Sequence, residues 1–390
     1  MKRMPKFTFF VLLIGVLIHF SCKKEFPATP VFTLPPSPPS PAPPPVLPLT
    51  PPLITNLKLT QFGTLSEPRY HILAATAGYK MLFVGGRYFI PNAWYDPIDA
   101  TWWNAEISST RVDIYDTITH IWSTYDLKGS NYDAWSGTAV VGNKIFFAGG
   151  YGYNSLDSAR IDIYDATSDS WSFINLPIVR RDIAVASLGN KVFFAGGNNG
   201  TDFGAGGRVD IYDVSNNSWS AATLSQPRSI ISGISFGNKI FFAGGSPSTT
   251  RVDIYDGTTQ TWSTAELSVA RCAIQTAIAG DKLLFDRGDG NSNIVDIYNK
   301  STQTWSSVNA NISVPPHFRP TASLENNAFF FVYDQQVNIY NGSTNNWYTA
   351  ALNPTTSYGH KAAITVGNQI YLGGGFNGNS NSDKVWKVQF

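Results

Sequence analysis

Seven copies of one short segment constrain this chain more than any other feature. Val-Asp-Ile-Tyr, or a near relative, begins at Val112, Ile161, Val209, Val252, Val295, Val337 and Val385, at spacings of 49, 48, 43, 43, 42 and 48 residues. Self-similarity at such a period means a repeat architecture, in which each unit buries its faces only by stacking on its neighbours. Six copies are followed ten residues later by tryptophan: Trp122, Trp171, Trp219, Trp262, Trp305 and Trp347. A second apolar run precedes each copy, clearest at Lys144 to Gly150, Lys191 to Gly197 and Lys239 to Gly245, where it closes on a glycine pair.

Each unit offers four short β runs. Gly142-Asn143, Gly189-Asn190, Gly237-Asn238 and Gly367-Asn368 separate the first two and accept the positive φ of a tight hairpin. Asp116, Asp165, Asp213 and Asp256 follow the third and suit a turn. One unit is therefore a four-stranded antiparallel blade, and radial stacking of blades buries both faces while the tryptophans fill the wedges. The seventh copy ends after its third strand. Ile54 to Thr60 lies ahead of the first copy, and Leu65-Ser66-Glu67-Pro68-Arg69 matches the linker Leu224-Ser225-Gln226-Pro227-Arg228 that follows a fourth strand elsewhere. An N-terminal strand that completes the last blade removes the open edge.

The glycine pair closing one strand, the aromatic in the next and the spaced tryptophan resemble kelch repeats, and the resemblance covers essentially everything after residue 53. The expected fold is all-β: a seven-bladed β-propeller of kelch-like repeats, closed by an N-terminal strand completing the last blade.

The first fifty residues have another character. Lys2, Arg3 and Lys6 precede the apolar run Phe7 to Ile18, which is too short to span a bilayer comfortably and is expected to be a signal peptide. It ends in His19-Phe20-Ser21-Cys22, which resembles the cleavage box of bacterial lipoproteins, although His19 stands where that family usually has an apolar residue. The resemblance implies cleavage after residue 21 and lipidation of Cys22, placing the protein on a membrane of the bacterial cell envelope, outer membrane or cell surface, through acyl chains alone. Residues 22–52 are proline-rich and favour polyproline II, with a reach on the order of 90 Å at about 3.1 Å per residue. A stiff spacer is expected there; a ligand for proline-binding domains is the rival. The propeller occupies 53–390.

Composition narrows the function. Net charge is +1 with no run of Lys or Arg, so the footprint of phosphate-backbone binding is missing and nucleic acid is not an expected partner. Aromatic residues make up 14% and charged residues 14%, which suits sheets buried on both faces. With two cysteines, one of them the expected anchor, the fold is not expected to depend on a crosslink, and a monomer is expected.

In an antiparallel blade the loops after the second and fourth strands share one face, and here that face varies. The first repeat carries an insert from Arg87 to Arg111 containing Trp94, Tyr95, Trp102 and Trp103. Aligning the repeats on their hairpins puts Arg69, Asp133, Arg180, Arg228, Arg271, His317 and Tyr358 at the approach to the innermost strands, with His71, Trp135, Asp182, Ile230, Ala273, Arg319 and His360 two positions on. These positions are expected to ring the central opening. A basic, aromatic-rimmed mouth would hold carboxylates or sulfated or uronic sugars by bidentate contacts. Alternatively, the arginines bond backbone carbonyls between blades, as arginine at this position belongs to the repeat pattern. In the fifth and sixth repeats Asp286-Arg287 and Tyr333-Asp334 replace the glycine pair.

The expected function is envelope-tethered recognition of a protein or glycan ligand, with no catalytic residues and no cofactor assigned. The alternative is an enzyme. Resemblance to copper radical oxidases of the galactose oxidase type would use Tyr70, His71, Tyr358 and His360 as metal ligands, with Cys272 lying two blades away from them. Resemblance to kelch-type sialic acid epimerases would use Asp133, Arg180 and Asp182.

Overall fold

The computed structural model describes residues 47–48, 53–96, 101–128, 130–132, 136–152, 158–199, 206–288, 293–310, 320–332, 336–353, 359 and 361–390. Among them every regular element longer than a turn is a β-strand, and most strands assemble into small antiparallel four-stranded sheets. Each four-stranded sheet is one sequence repeat, and the sixth and seventh repeats join in one eight-stranded sheet. In the third, Ala184–Leu188, Lys191–Ala195, Arg208–Asp213 and Ser218–Thr223 pair in sequence order.

The register explains the repeated signature. Tyr212 lies opposite Trp219, and in six repeats this third-strand tyrosine packs on the fourth-strand tryptophan at 5.0–5.3 Å between ring centroids. The tryptophan also meets a second-strand phenylalanine of the same sheet, from Phe285–Trp305 at 5.4 Å to Phe83–Trp122 at 6.2 Å. In four repeats the tyrosine hydroxyl bonds the fifth residue of the following turn: His120, Asp169, Asn217 or Asn345. That turn residue has positive φ in six repeats, 51° to 59°, so the phenol fastens a position that most residue types resist.

Apolar clusters span neighbouring sheets. Phe146 and Ile161 of the second repeat join Val192, Phe194 and Tyr212 of the third in one buried group, and Phe241 and Leu267 of the fourth join Ile274 and Phe285 of the fifth. The innermost strands lie side by side in sequence order, and the seventh, Ala362–Val366, lies beside the first, Leu73–Ala77. The result is a propeller-like arrangement in which each sheet's hydrophobic faces are covered by its neighbours.

The glycine pair belongs to this stacking. Gly244 has φ of 62°, and a Cβ there would sit 2.6 Å from the carbonyl oxygen of Arg271 in the next repeat; Gly245 donates its N–H to that same carbonyl. The same contact joins the ends of the repeat series, where Gly375 N–H donates to the Arg69 carbonyl at 2.7 Å. Glycine is needed because one backbone must approach another closely in a left-handed conformation.

Leu53–Thr64 is the N-terminal strand. Its first half pairs in parallel with the sixth repeat's fourth strand, Leu53 to Lys58 against Thr349 to Asn353, and its second half pairs antiparallel with Lys384–Gln389 of the seventh. It thus takes the fourth place in the seventh sheet and ties it to the sixth. Leu57 and Leu59 are buried, and Phe62 lies between Tyr371 of the seventh repeat and Tyr115 of the first at 4.7 and 4.8 Å. Upstream, Leu47–Pro48 pairs in parallel with Val308 and Asn309 on the outer edge of the fifth sheet. Leu47–Pro48, expected to belong to the spacer, therefore lies along the fold.

Turn caps give the fold a pH signature. Asp256 accepts from the backbone N–H groups of Thr258 and Thr259 and pairs with Lys239, and these contacts pull its pKa down to about 2. A carboxylate whose folded pKa is depressed contributes stability that is present above its unfolded value and is lost as pH falls towards the folded one. The fifth and sixth repeats carry Asn299 and Asn341 at this place with the same backbone bonds. Asp256→Asn is therefore expected to keep the cap while flattening the loss of Tm between pH of about 4 and 2, read by thermal melts across that range; an unchanged profile would contradict this.

Candidate ligand-binding face

The predicted arginine ring is a buried layer. Arg69, Arg180, Arg228 and Arg271 are at most 3% exposed, and each pairs with the aspartate of its own repeat's Val-Asp-Ile-Tyr segment: Asp113, Asp210, Asp253 and Asp296. Other donors of these guanidiniums go to backbone carbonyls, Arg69 to Gly85 and Arg228 to Gly244 at 2.7–2.8 Å. Burial pulls the pKa of Arg69, Arg180 and Arg228 down from the usual guanidinium value, opposed by the aspartates, and burial raises that of Asp296. These four side chains bond carbonyls of their own repeat rather than carbonyls between blades, together with an aspartate that the sequence pattern did not assign to them. Their guanidinium groups are withdrawn from any ligand.

In the second repeat the hairpin alignment is off by one residue. Tyr132, not Asp133, takes the arginine's place: its hydroxyl reaches the Phe147 carbonyl at 2.9 Å and Asp162 at 3.0 Å, and its own carbonyl accepts from Gly86 N–H. From Tyr132 to the strand at Gly137 is one residue longer than from Arg69 to Leu73, and that insertion hides the match. Asp162 is satisfied instead by Arg160 at 2.7 Å.

Two positions beyond each buried arginine the chain turns back. His71, Asp182, Ile230 and Ala273 have φ of 52° to 55° and are half-buried. Ile230 N–H donates to the Asp182 carbonyl of the preceding repeat at 3.1 Å, so equivalent residues of the third and fourth repeats touch. Lys361 of the seventh repeat stands where Ile72, Ile183, Ile231 and Ile274 stand elsewhere, and burial lowers its pKa to about 8. Trp135, His317, Arg319, Tyr358, His360 and Cys22 lie outside the described residues. Cys272 is fully buried and disulfide-bonded, a crosslink not expected from the sequence and one that competes with lipidation if Cys22, the chain's other cysteine, is its partner.

The insert of the first repeat is a β-hairpin, Arg87–Asp96 paired with Thr101–Ser108, forming a two-stranded sheet of its own. The register sets Trp94 opposite Trp103 and Tyr95 opposite Trp102 at its far end. Its base is held firmly. Arg87 and Tyr70 exchange backbone bonds at 2.8 and 2.9 Å, Arg87 pairs with Glu106 at 3.3 Å, and the Asn381 amide both donates to and accepts from the backbone of Phe89. Asn381 belongs to the seventh repeat, so the arm is clasped across the junction of first and last repeats. An aromatic run leads from opening to arm: His71–Tyr70 at 4.7 Å, Tyr70–Phe376 stacked at 5.0 Å and Phe376–Phe89 at 5.1 Å. Of the oxidase constellation, Tyr70 and His71 are thus neighbours, and Tyr70 is buried. Among the described residues no group of three His, Cys, Asp or Glu side chains is placed to hold a metal.

No family model matches the sequence, and no curated protein matches it. Solved structures do match, 1247 chains in all. One, "Structure of YjhT", aligns with a TM-score of 0.50 at 14% identity over 84% of this chain and 99% of its own. At that identity the likeness concerns fold alone, and it agrees with an all-β, propeller-like assembly of small four-stranded sheets.

Proposed function

We propose that residues 53–390 are a seven-bladed propeller of kelch type, closed by Leu53–Thr64, and that the protein is a lipoprotein of the bacterial cell envelope that recognises a glycan or protein ligand through the face bearing the first-repeat hairpin. Seven sequence copies, the stacking of glycine pairs against the next repeat and the pairing of the N-terminal strand with Lys384–Gln389 support the fold. The observation that carries the function is the hairpin. A two-stranded ribbon is marginal by itself, yet this one is clasped at its base to two repeats and carries four aromatic residues at its far end. Large aromatics on a loop face, where the scaffold has no need of them, are the usual anchors of recognition.

Trp102→Ala and Trp103→Ala are each expected to weaken ligand binding by about 0.5–1.5 kcal/mol or more while leaving Tm unchanged, measured on glycan and protein arrays and then by calorimetry with whichever ligand binds. Silence across both arrays, or binding indifferent to both substitutions, would end this reading. The anchor is tested separately, by mass spectrometry of the mature protein from a bacterial host. A diacyl or triacyl modification on Cys22 is expected, and a peptide crosslinking Cys22 to Cys272 would overturn it.

A further inference from the structure

We propose a second ligand site, between the fourth and fifth repeats on the face opposite the hairpin arm, that takes a small hydroxylated monocarboxylate. It is independent of the recognition role given to the arm. The turns after the first and third strands share this face, and where those of the fourth repeat meet the third-strand turn of the fifth they enclose a cleft of about 210 Å³. A drug-sized pocket holds roughly 300–1,000 Å³, so the ligand is small.

Two departures from the repeat pattern shape the cleft. In four repeats the third-strand tyrosine bonds the residue five places on, but in the fifth repeat that residue is Gln303, and among the described residues the Tyr298 hydroxyl has no hydrogen-bond partner. Its ring is buried, 4% exposed, against Phe241 at 4.9 Å and Trp305 at 5.3 Å. Burial raises its pKa, and Lys239 and Asp256 of the fourth repeat act on it through space. The phenol therefore lines the cleft as a proton donor. The second departure is Lys300. Its place is held by Gly257 in the fourth repeat and Gly342 in the sixth, where a Cβ would stand 2.5 Å from the Leu188 side chain and 2.2 Å from the Ala279 carbonyl oxygen of the preceding repeat. Those two junctions are closed. Lys300 instead lies beside Gly237, with its Nζ 5.3 Å from the centroid of the Phe236 ring. Asp256 pairs with Lys239, and the turn cap ahead of Lys300 is the uncharged Asn299. Among the described residues the Lys300 ammonium has no ion pair.

An unpaired ammonium and an unpartnered phenol lining one cleft suit a carboxylate, which accepts from both. The Asp256 charge on the opposite wall repels a second negative charge, which disfavours a phosphate dianion. Asn238, Thr258 and Gln303 complete the lining, and their amide and hydroxyl groups both donate and accept, as the hydroxyls of a sugar acid require.

The test is calorimetric titration of the whole soluble protein, residues 23–390, with gluconate, galacturonate, galactose and phosphate at constant ionic strength. One of the two sugar acids is expected to bind saturably with a Kd on the order of 1 mM, more tightly than galactose or phosphate. Tyr298→Phe, which keeps the ring, and Lys300→Met, which keeps the stem, are each expected to weaken it by about tenfold with Tm unchanged. Lys144→Met, on the same face of the second repeat, and Trp102→Ala on the arm are expected to leave it alone. Galactose or phosphate bound as tightly as the sugar acid would overturn the assigned chemistry. No saturable binding of either acid by about 10 mM, or binding that is indifferent to Tyr298→Phe and Lys300→Met or falls equally with Lys144→Met, would overturn the site.

Discussion

Replacing Asp210 with alanine is expected to destabilise the protein by about 3–5 kcal/mol, because it strands Arg180 in the interior. Neither side chain of that pair has measurable exposure, and Arg180 also donates to the Phe194 and Arg208 carbonyls. Arg208, which also donates to Asp210 at 2.7 Å, would lose its partner too. Removing both charges is a different perturbation. Arg180→Met combined with Asp210→Leu should recover most of the loss, since apolar replacement of a buried pair is often neutral or better. Denaturant titration of single and double variants decides this. If Asp210→Ala costs less than about 1 kcal/mol, the pair is behaving like a surface contact, and the arginines are freer to meet a ligand than the structure implies.

A larger effect is expected from the N-terminus. Deleting residues 53–64 removes buried Leu57 and Leu59, takes Phe62 out of the wedge between the seventh repeat and the first, and leaves the edges of Asn346–Asn353 and Lys384–Gln389 open. Burying a leucine or phenylalanine side chain is worth about 1.5–3 kcal/mol, so loss of these three together with a row of ladder hydrogen bonds matches the whole stability of an ordinary domain. The truncated protein is expected to be insoluble or molten by near-UV circular dichroism, and to regain a cooperative melt when a peptide spanning 53–64 is supplied. A truncated protein that melts cooperatively near the full-length Tm would contradict the role given to this strand.

Much of the architecture was legible because the repeats police one another. A single Val-Asp-Ile-Tyr says little; seven of them at one period leave few folds, and the tryptophan ten residues on marks a hairpin that sets Tyr212 against Trp219. The seventh fourth strand, which the last repeat does not supply, is legible as a spare strand ahead of the first repeat. The buried arginines were harder. Their position could be aligned, but whether a guanidinium faces the opening or the interior depends on its partner, and the partner lies in another strand. The signal was in the repeats themselves: where arginine stands, at 69, 180, 228 and 271, the third strand has aspartate, whereas the repeats aligned on His317 and Tyr358 have Asn338 and Trp386 in its place. Arginine and aspartate vary together within one chain, as paired charges must. Tyr132 breaks the pattern and was missed, because one inserted residue before Gly137 shifts the register. The hairpin is legible in the sequence only as a loop rich in aromatics, because the cross-strand bulge between Ile90 and Trp94 blurs the alternation that would betray two strands.

Exchange of the hairpin tests most directly whether it, rather than the layer of residues beside the buried arginines, carries recognition. Residues 88–107 can be exchanged for the short fourth-repeat connection Ser246 to Thr250, which joins equivalent strands without an arm. Binding to the array-identified ligand is then compared with Tm for the same preparation. The predicted result is a wild-type melt with ligand binding lost; undiminished binding by a protein without the arm would contradict it.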